Sequence, residues 1–224
     1  MYKPIHAWFF LAPALILLLV FSIIPSSMAL GLSFTDYNVF TTSQWVGLDN
    51  YARVLQDNNF WGALRNTVTY WLLVTPLLVV VPVFIAVLVN QKLFGMKWYR
   101  LIFYFPALVS VVVTAMLWGW MFQSNGVLNY VLSLFGVTPV RWLTRPNMVL
   151  QSLAIVTVWQ GLGYYMLFYL AGLQSVPEDL YEAAELDGAS SWKKHIHVTF
   201  PMLRPVIFFT AVISTMAAFK EFTL

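Results

Sequence analysis

Ionisable side chains are concentrated in one short stretch, residues 181–205, of a 224-residue chain that is only 9% charged and 60% hydrophobic. The stretch contains Glu182, Glu185, Asp187, Lys193, Lys194, His195, His197 and Arg204. Carboxylates and imidazoles together are the usual material of metal sites and of acid–base catalysis. His195 and His197, however, are two positions apart, so on a helix they point in different directions and do not favour a shared metal ion. We therefore predict a surface for a partner here, with no metal.

The sequence also lacks the common motifs for nucleotide binding and catalysis. The chain has no G-x-x-x-x-G-K-[ST] loop to bind nucleotide phosphates and no cysteine for a thiolate or a disulfide. No nucleophile and no acid–base pair is found in its apolar runs, so we predict that it is not an enzyme and binds no cofactor itself. Those runs also contain few ionisable groups and no inverted repeat, which disfavours a stand-alone ion-coupled transporter, the alternative class.

Long apolar runs identify the elements that must position these residues. A helix that crosses about 30 Å of hydrocarbon needs about 20 apolar residues. We count five spans, at residues 7–32, 66–91, 101–122, within 148–172, and at 205–219. Prolines inside several runs predict kinks. The predicted fold class is an all-α integral membrane protein, a kinked transmembrane helix bundle of five spans.

Two domains are predicted. Residues 1–64 form the first span, which we expect to be retained rather than cleaved as a signal peptide, and an external segment, 33–64, with short amphipathic helices at the interface. Residues 65–224 form the core of the transmembrane domain.

The distribution of basic residues predicts the orientation. If the spans alternate, one side carries Lys3, Lys92, Lys97, Arg100, Lys193, Lys194 and Arg204, and the other carries Arg53, Arg65, Arg141 and Arg145. The positive-inside rule then places the N-terminus and residues 181–205 in the cytoplasm. The basic residues form no stripe, so the net charge of +3 does not indicate nucleic-acid binding.

Residues 176–205 have the pattern of two helices separated by a glycine turn. Pro177 at the first helical position and two acids after it favour a helix over about 180–187. Gly188 follows, where a left-handed conformation is needed. A second short helix is expected to begin near Ser190, before Pro201 and Pro205 lead into the last span.

Polar and aromatic side chains cluster at the middle of the fourth span: Trp159, Gln160, Tyr164 and Tyr165. Aromatic faces stack on the C–H faces of sugars, and amide and phenol groups bind hydroxyls, so these residues are candidates for a substrate path. The alternative is ordinary helix packing with the tyrosine hydroxyls satisfied locally.

One spacing in the polar stretch is specific. Glu182, Ala183 and Ala184, then three residues, Gly188, nine residues, and a V-T-F-P sequence ending at Pro201 resemble the EAA motif, E-A-A-x3-G-x9-I-x-L-P. This motif is found in permease subunits of ATP-binding-cassette importers. Segments such as W-V-G-L-D-N-Y and N-G-V-L-N-Y extend the similarity to the carbohydrate-uptake branch, in particular to the maltose-type first permease.

The resemblance implies a function and a set of partners. Glu182 to Gly188, with Asp187 and Pro201, would form a coupling helix and its return to the membrane, seated in an ATPase subunit that binds ATP and Mg²⁺. A second homologous permease, an extracytoplasmic solute-binding protein and the lipid bilayer would be the other partners, in the cytoplasmic membrane of a bacterium or archaeon. Family members normally have six spans, so we expect the chain to be truncated before its last span. The solute could also be something other than a sugar.

Overall fold

The computed structural model describes residues 4–38, 43–91 and 93–221. The chain folds as two compact units, Met1–Leu64 and Arg65–Leu224.

The first unit begins with one long apolar helix. It consists of α1 (Pro4–Leu18), a π-helical turn (Leu19–Ile23) and α2 (Ile24–Leu32). The π turn is closed by the amide of Ile24, which donates to the carbonyl of Leu19. None of residues 8–32 is buried within the protein, as expected for an apolar helix that faces lipid.

A compact polar segment follows this helix. Thr35 and Trp45 form an isolated antiparallel bridge, and the Asn50 side chain donates to the carbonyls of Ser33 (2.9 Å) and Thr35 (3.0 Å). Asn50 belongs to α3 (Asp49–Gln56). An amphipathic helix was predicted here, and α3 is one.

The remaining helices are α4 (Asn58–Val89), α5 (Met96–Leu108), α6 (Val111–Met121), α7 (Val127–Leu134), α8 (Pro146–Gln174), α9 (Glu178–Leu186), α10 (Ser191–Lys194) and α11 (Phe200–Lys220). A π-helical turn, His195–Thr199, joins α10 to α11 in one helix, Ser191–Lys220.

The core of the second unit lies between α4, α8 and α11. The last turns of α4, from Val83 to Val89, pack against Met166, Tyr169 and Leu203. The end of α4, the end of α8 and the start of α11 therefore lie together, and we call this the hairpin end because α9 and α10 follow α8 there.

The opposite end of α8 is ordered by one buried amide. Asn129 on α7 donates to the carbonyls of Gln123 (3.1 Å) and Val140 (3.0 Å), and its oxygen accepts from the Val140 amide and the Trp142 indole. Ser152 on α8 donates to the Trp142 carbonyl. These bonds fix α7 and residues 137–145 beside the start of α8.

In the part of the chain that the structure describes, four helices are long and apolar enough to cross a membrane: Trp8–Leu32, Asn58–Val89, Pro146–Gln174 and Ser191–Lys220. The pair α5 and α6 supplies a fifth span if the two are counted together. The all-α membrane fold is therefore confirmed, but three span boundaries differ from the prediction.

The third span is not one straight helix. α5 and α6 meet at an angle of 96°, because Val109 has an extended backbone and Ser110 is the N-cap of a new helix, its hydroxyl accepting from the Val113 amide. A serine before three valines gives the chain both a cap and residues with a weak preference for helix.

Two other helices are longer than predicted. α4 begins at Asn58 rather than near residue 66, so residues 58–64, which were predicted to belong to the external segment, form its first turns. The last long helix begins at Ser191 rather than 205, so the expected second short helix is its first turn. The helix continues through Pro201, which comes directly after the π turn His195–Thr199 and Phe200.

Candidate functional site

A cavity of about 340 Å³ lies in the second unit. Its walls come from α4, α8, α11 and the break between α5 and α6. The residues that line it are Tyr70, Val74, Leu78, Ala107, Val111, Thr157, Gln160, Gly161, Tyr164, Tyr165, Ser214, Ala217, Ala218 and Glu221. We call it the central cavity.

Hydroxyl and amide groups dominate the polar part of its lining. The Tyr70 phenol and the Thr157 hydroxyl are 2.6 Å apart and join α4 to α8. Tyr165 is buried, and its ring meets that of Tyr164 edge to face at 5.3 Å. Tyr164 itself is 47% exposed. An uncharged solute with several hydroxyls would find both hydrogen-bonding groups and aromatic faces here.

Gln160 has a structural contact in addition to its place in the cavity wall. Its Nε2 donates to the carbonyl of Val109 at 3.1 Å, at the point where α5 ends. A broken helix leaves backbone carbonyls unpaired, and at membrane depth these must be satisfied by protein. Gln160 supplies that bond and thereby attaches α8 to the break.

The structure brings together three of the four residues predicted for a substrate path. Gln160, Tyr164 and Tyr165 line the central cavity, whereas Trp159 does not. The Trp159 ring contacts Trp118 edge to face, with 5.6 Å between centroids.

Sequence reasoning missed other wall residues, chiefly Tyr70, Thr157, Ser214 and Glu221. Part of the signal was present on α8. Thr157, Gln160, Gly161 and Tyr164 follow the i, i+3, i+4, i+7 spacing of a single helix face, from which Trp159 departs. The wall residues on α4 and α11 reach the cavity only through tertiary packing, and no comparable pattern in the sequence marks them.

The EAA residues lie on a hairpin of α9, Gly188 and α10. α9 covers Glu178–Leu186, and Pro177 precedes it in an extended conformation rather than occupying its first position. Gly188 has φ of 75°, which confirms the predicted left-handed turn. Asp187, at the C-cap, is exposed.

One face of α9 is open. Glu182, Ala183 and Leu186 are exposed, and Leu186 is 90% exposed. Leu186 lies four positions after Glu182 and three after Ala183, so both residues are its neighbours on the helix surface. The opposite face contains Tyr181 and Ala184, which are partly buried. α9 thus presents a small, partly apolar surface while its other side packs on the protein.

The helix after the turn is tied to α9. Lys194 Nζ lies 3.0 Å from Glu185 Oε2, and Ser190 caps α10 by accepting from the Lys193 amide. Pro201 lies in the first turn of α11, beyond the π turn. The EAA residues therefore lie in two places: Glu182, Ala183 and Ala184 are on α9, and Pro201 is on the membrane-spanning helix.

The two histidines of the polar stretch have different surroundings. His195 Nδ1 is 3.1 Å from Thr199 Oγ1, and His197 Nδ1 is 3.0 Å from the Lys193 carbonyl. Within residues 4–38, 43–91 and 93–221, no three His, Cys, Asp or Glu residues are grouped so as to hold a metal ion.

Comparisons with known proteins identify relatives along nearly the whole chain. The probable ABC transporter permease protein YesP of Bacillus subtilis is 38% identical over 217 residues, covering 96% of this chain and 70% of YesP. The lactose transport system permease protein LacF of Rhizobium radiobacter is 35% identical, covering 99% of this chain and 75% of LacF.

A solved structure agrees with this relationship. A bacterial alginate ABC transporter in complex with an alginate pentasaccharide-bound periplasmic protein contains a chain that superposes with a TM-score of 0.78 at 28% identity. The match covers 93% of this chain and 70% of that chain.

The family of binding-protein-dependent transport system inner membrane components matches residues 51–224. The relatives carry the names of permeases of transport systems, and several helices of this chain are long enough to cross a membrane. The chain belongs to the family of binding-protein-dependent transport system inner membrane components.

Proposed function

We propose that the chain is the permease subunit of an ATP-driven sugar importer. The observation that carries the proposal is the ordered hairpin: the EAA spacing coincides with an exposed face of α9, a left-handed Gly188 and a helix that runs on into the last span. A loop that served only to connect two spans would need none of these features.

The hairpin contacts a separate ATPase subunit that binds ATP and Mg²⁺, and it moves when that subunit changes conformation. Glu182, Ala183 and Leu186 provide a contact surface, and Asp187 adds a negative charge at its edge. Small and apolar side chains allow a close fit, and the acids select a basic partner surface.

The central cavity forms part of the solute path, together with a second homologous permease. Its polar groups and tyrosine rings suit a sugar, and about 340 Å³ is within the range of small-molecule sites. Relatives whose names specify lactose and alginate favour a carbohydrate over other solutes. A solute-binding protein delivers the sugar on the outer side, as the alginate transporter's complex with a periplasmic protein suggests.

The hairpin end lies in the cytoplasm of a bacterium or archaeon, and so does the N-terminus. Lys97 and Arg100 lie in the first turns of α5, where Arg100 Nε donates to the carbonyl of Val89 at the end of α4, and Lys193 and Lys194 lie in α10. This grouping follows the positive-inside rule.

Replacing Gly188 with valine tests the coupling role. A β-branched residue strains the left-handed backbone, at a cost of about 1–2 kcal/mol or more, and nothing lies within 4 Å of the added Cβ, so the effect acts through the turn. In the complete importer in proteoliposomes, we expect ATP hydrolysis to persist while sugar uptake falls at least fivefold, a change equivalent to about 1 kcal/mol.

Gly136 offers a matched control. It has φ of 76°, also has open space around its Cβ, and follows α7 at the other end of α8. Gly136→Val should leave uptake per ATP unchanged. Coupled uptake in Gly188→Val equal to that of the wild type would overturn the proposal.

A further inference from the structure

Two polar ties join α9 to the helix that follows it. Lys194 Nζ is 3.0 Å from Glu185 Oε2, next to the Gly188 turn. Farther from the turn, the Tyr181 phenol is 3.0 Å from Thr199 Oγ1. The pairs Glu185–Lys194 and Tyr181–Thr199 are two successive side-chain contacts between antiparallel helical segments.

The residues that make these two contacts are spaced differently on α9 and on the helix that follows it. Tyr181 and Glu185 are four residues apart, one turn of α-helix, and so lie on one face. Lys194 and Thr199 are five apart, which in an α-helix would separate them by about 140° around the axis. Position 198 would then face Tyr181, and valine has no hydroxyl.

The π-helical turn at His195–Thr199 removes this mismatch. The amide of Phe200 donates to the carbonyl of His195, a bond over five residues instead of four. A π turn of this kind brings residues five apart onto the same face. Lys194 and Thr199 therefore both face α9, because the π turn contains one residue more than an α-helical turn.

Thr199 is the buried centre of the second tie. It is fully buried, and its hydroxyl lies 3.0 Å from the Tyr181 phenol and 3.1 Å from His195 Nδ1. A buried hydroxyl with two polar neighbours is costly to replace by a hydrocarbon group, since its partners lose their bonds.

We propose that Tyr181 and Thr199 are positioning residues for energy coupling, and that the π turn sets their register. Their bond makes α9 and the helix Ser191–Lys220 move as one body, so displacement of the exposed α9 face is carried to the wall of the central cavity, where Ser214 and Ala218 lie. This inference rests on the proposed function, because it assumes that α9 receives movement from an ATPase.

The test uses the full-length subunit assembled into the complete importer. Tyr181→Phe, Thr199→Val and the double variant are compared for ATP hydrolysed per sugar transported in proteoliposomes. Each single variant should raise this ratio about fivefold, the effect of one lost hydrogen bond. The double variant should be no worse than the more affected single one, because both changes break the same bond.

Three controls separate coupling from folding. Tyr99→Phe and Thr138→Val change exposed residues of the same types and should leave the ratio unchanged. Thr199→Ser retains the hydroxyl and should behave as the wild type. Hydrogen exchange should rise in residues 178–186 of Tyr181→Phe and stay unchanged in 146–174.

Several outcomes would overturn the inference. They are a wild-type ratio in either single variant, a double variant whose effect is the product of the two, and a Thr199→Val subunit that fails to co-purify with the ATPase while Tyr181→Phe assembles normally. If Gly188→Val uncouples and Tyr181→Phe does not, only this inference fails. If Gly188→Val also remains coupled, the proposed function fails.

Discussion

Gln160 shows how one side chain can serve both packing and a solute path. Its Nε2 donates to the carbonyl of Val109, and the same residue lines the central cavity. The packing and functional interpretations of this residue are therefore compatible: the amide that supports the break between α5 and α6 also places a polar group at the cavity wall.

Replacing Gln160 with leucine should destabilise the protein. The carbonyl of Val109 would lose its donor, and the loss of one such hydrogen bond costs about 1 kcal/mol. We expect a lower midpoint of thermal unfolding in detergent. Gln151→Leu, an exposed position on the same helix, is the matched control and should shift the midpoint little. Equal midpoints for the two variants would show that the bond to Val109 adds nothing to stability.

At the scale of elements, the backbones of α5 and α8 approach each other closely. A Cβ placed on Gly163 would collide with the carbonyl oxygen of Phe103 and the α-carbon of Tyr104. Both obstacles are backbone, so no side-chain rotation relieves the collision. Glycine at this position is what allows α5 to lie against α8, as small residues do in membrane helix pairs.

Gly163→Ala is therefore expected to be disruptive although alanine favours helix. Overpacking against backbone costs about 1–3 kcal/mol or more, which exceeds the gain of about 1 kcal/mol in helix propensity. Gly119→Ala, on α6 with nothing within 4 Å of the new Cβ, is the control and should be neutral or stabilising. The measurement is the unfolding midpoint of the purified subunit; comparable midpoints for the two variants would contradict the packing argument.

Different elements were predictable for different physical reasons. Apolar length alone located the long helices, because a span needs about 20 apolar residues. Gly188 was predictable because glycine takes a left-handed turn cheaply. The break at Val109 and the two π turns were not foreseen. At Val109, the freed carbonyl finds its donor, Gln160, only in the folded protein.

The candidate site shows the same limit. Tyr164 and Tyr165 stood out within one span, but Tyr70, Thr157 and Ser214 join them only when α4, α8 and α11 pack together. Trp159 shares the composition of that cluster but points to Trp118. Residue type suggested what the cavity is made of, and helix-face spacing would have been needed to decide which residues line it.

At the scale of the whole molecule, α8 separates two ordered segments. It has 29 residues, about 44 Å at 1.5 Å per residue, which exceeds the hydrocarbon thickness of about 30 Å. The segment held by Asn129 precedes it, and the hairpin follows it. In a membrane these two segments must therefore lie on opposite sides, and the proposed coupling requires the hairpin to be the cytoplasmic one.

Thiol labelling in cells tests this orientation directly, because the 224 residues contain no cysteine. Thr138→Cys and Lys193→Cys each place a single thiol at an exposed position, one on either side of α8. A membrane-impermeant maleimide should label Thr138→Cys in spheroplasts and Lys193→Cys only after permeabilisation, which also shows that both thiols are reactive. The basic residues of the hairpin end require this result if they follow the positive-inside rule. Labelling of Lys193→Cys before permeabilisation would place α9 outside, where no ATPase could reach its exposed face, and would refute the coupling role together with the orientation.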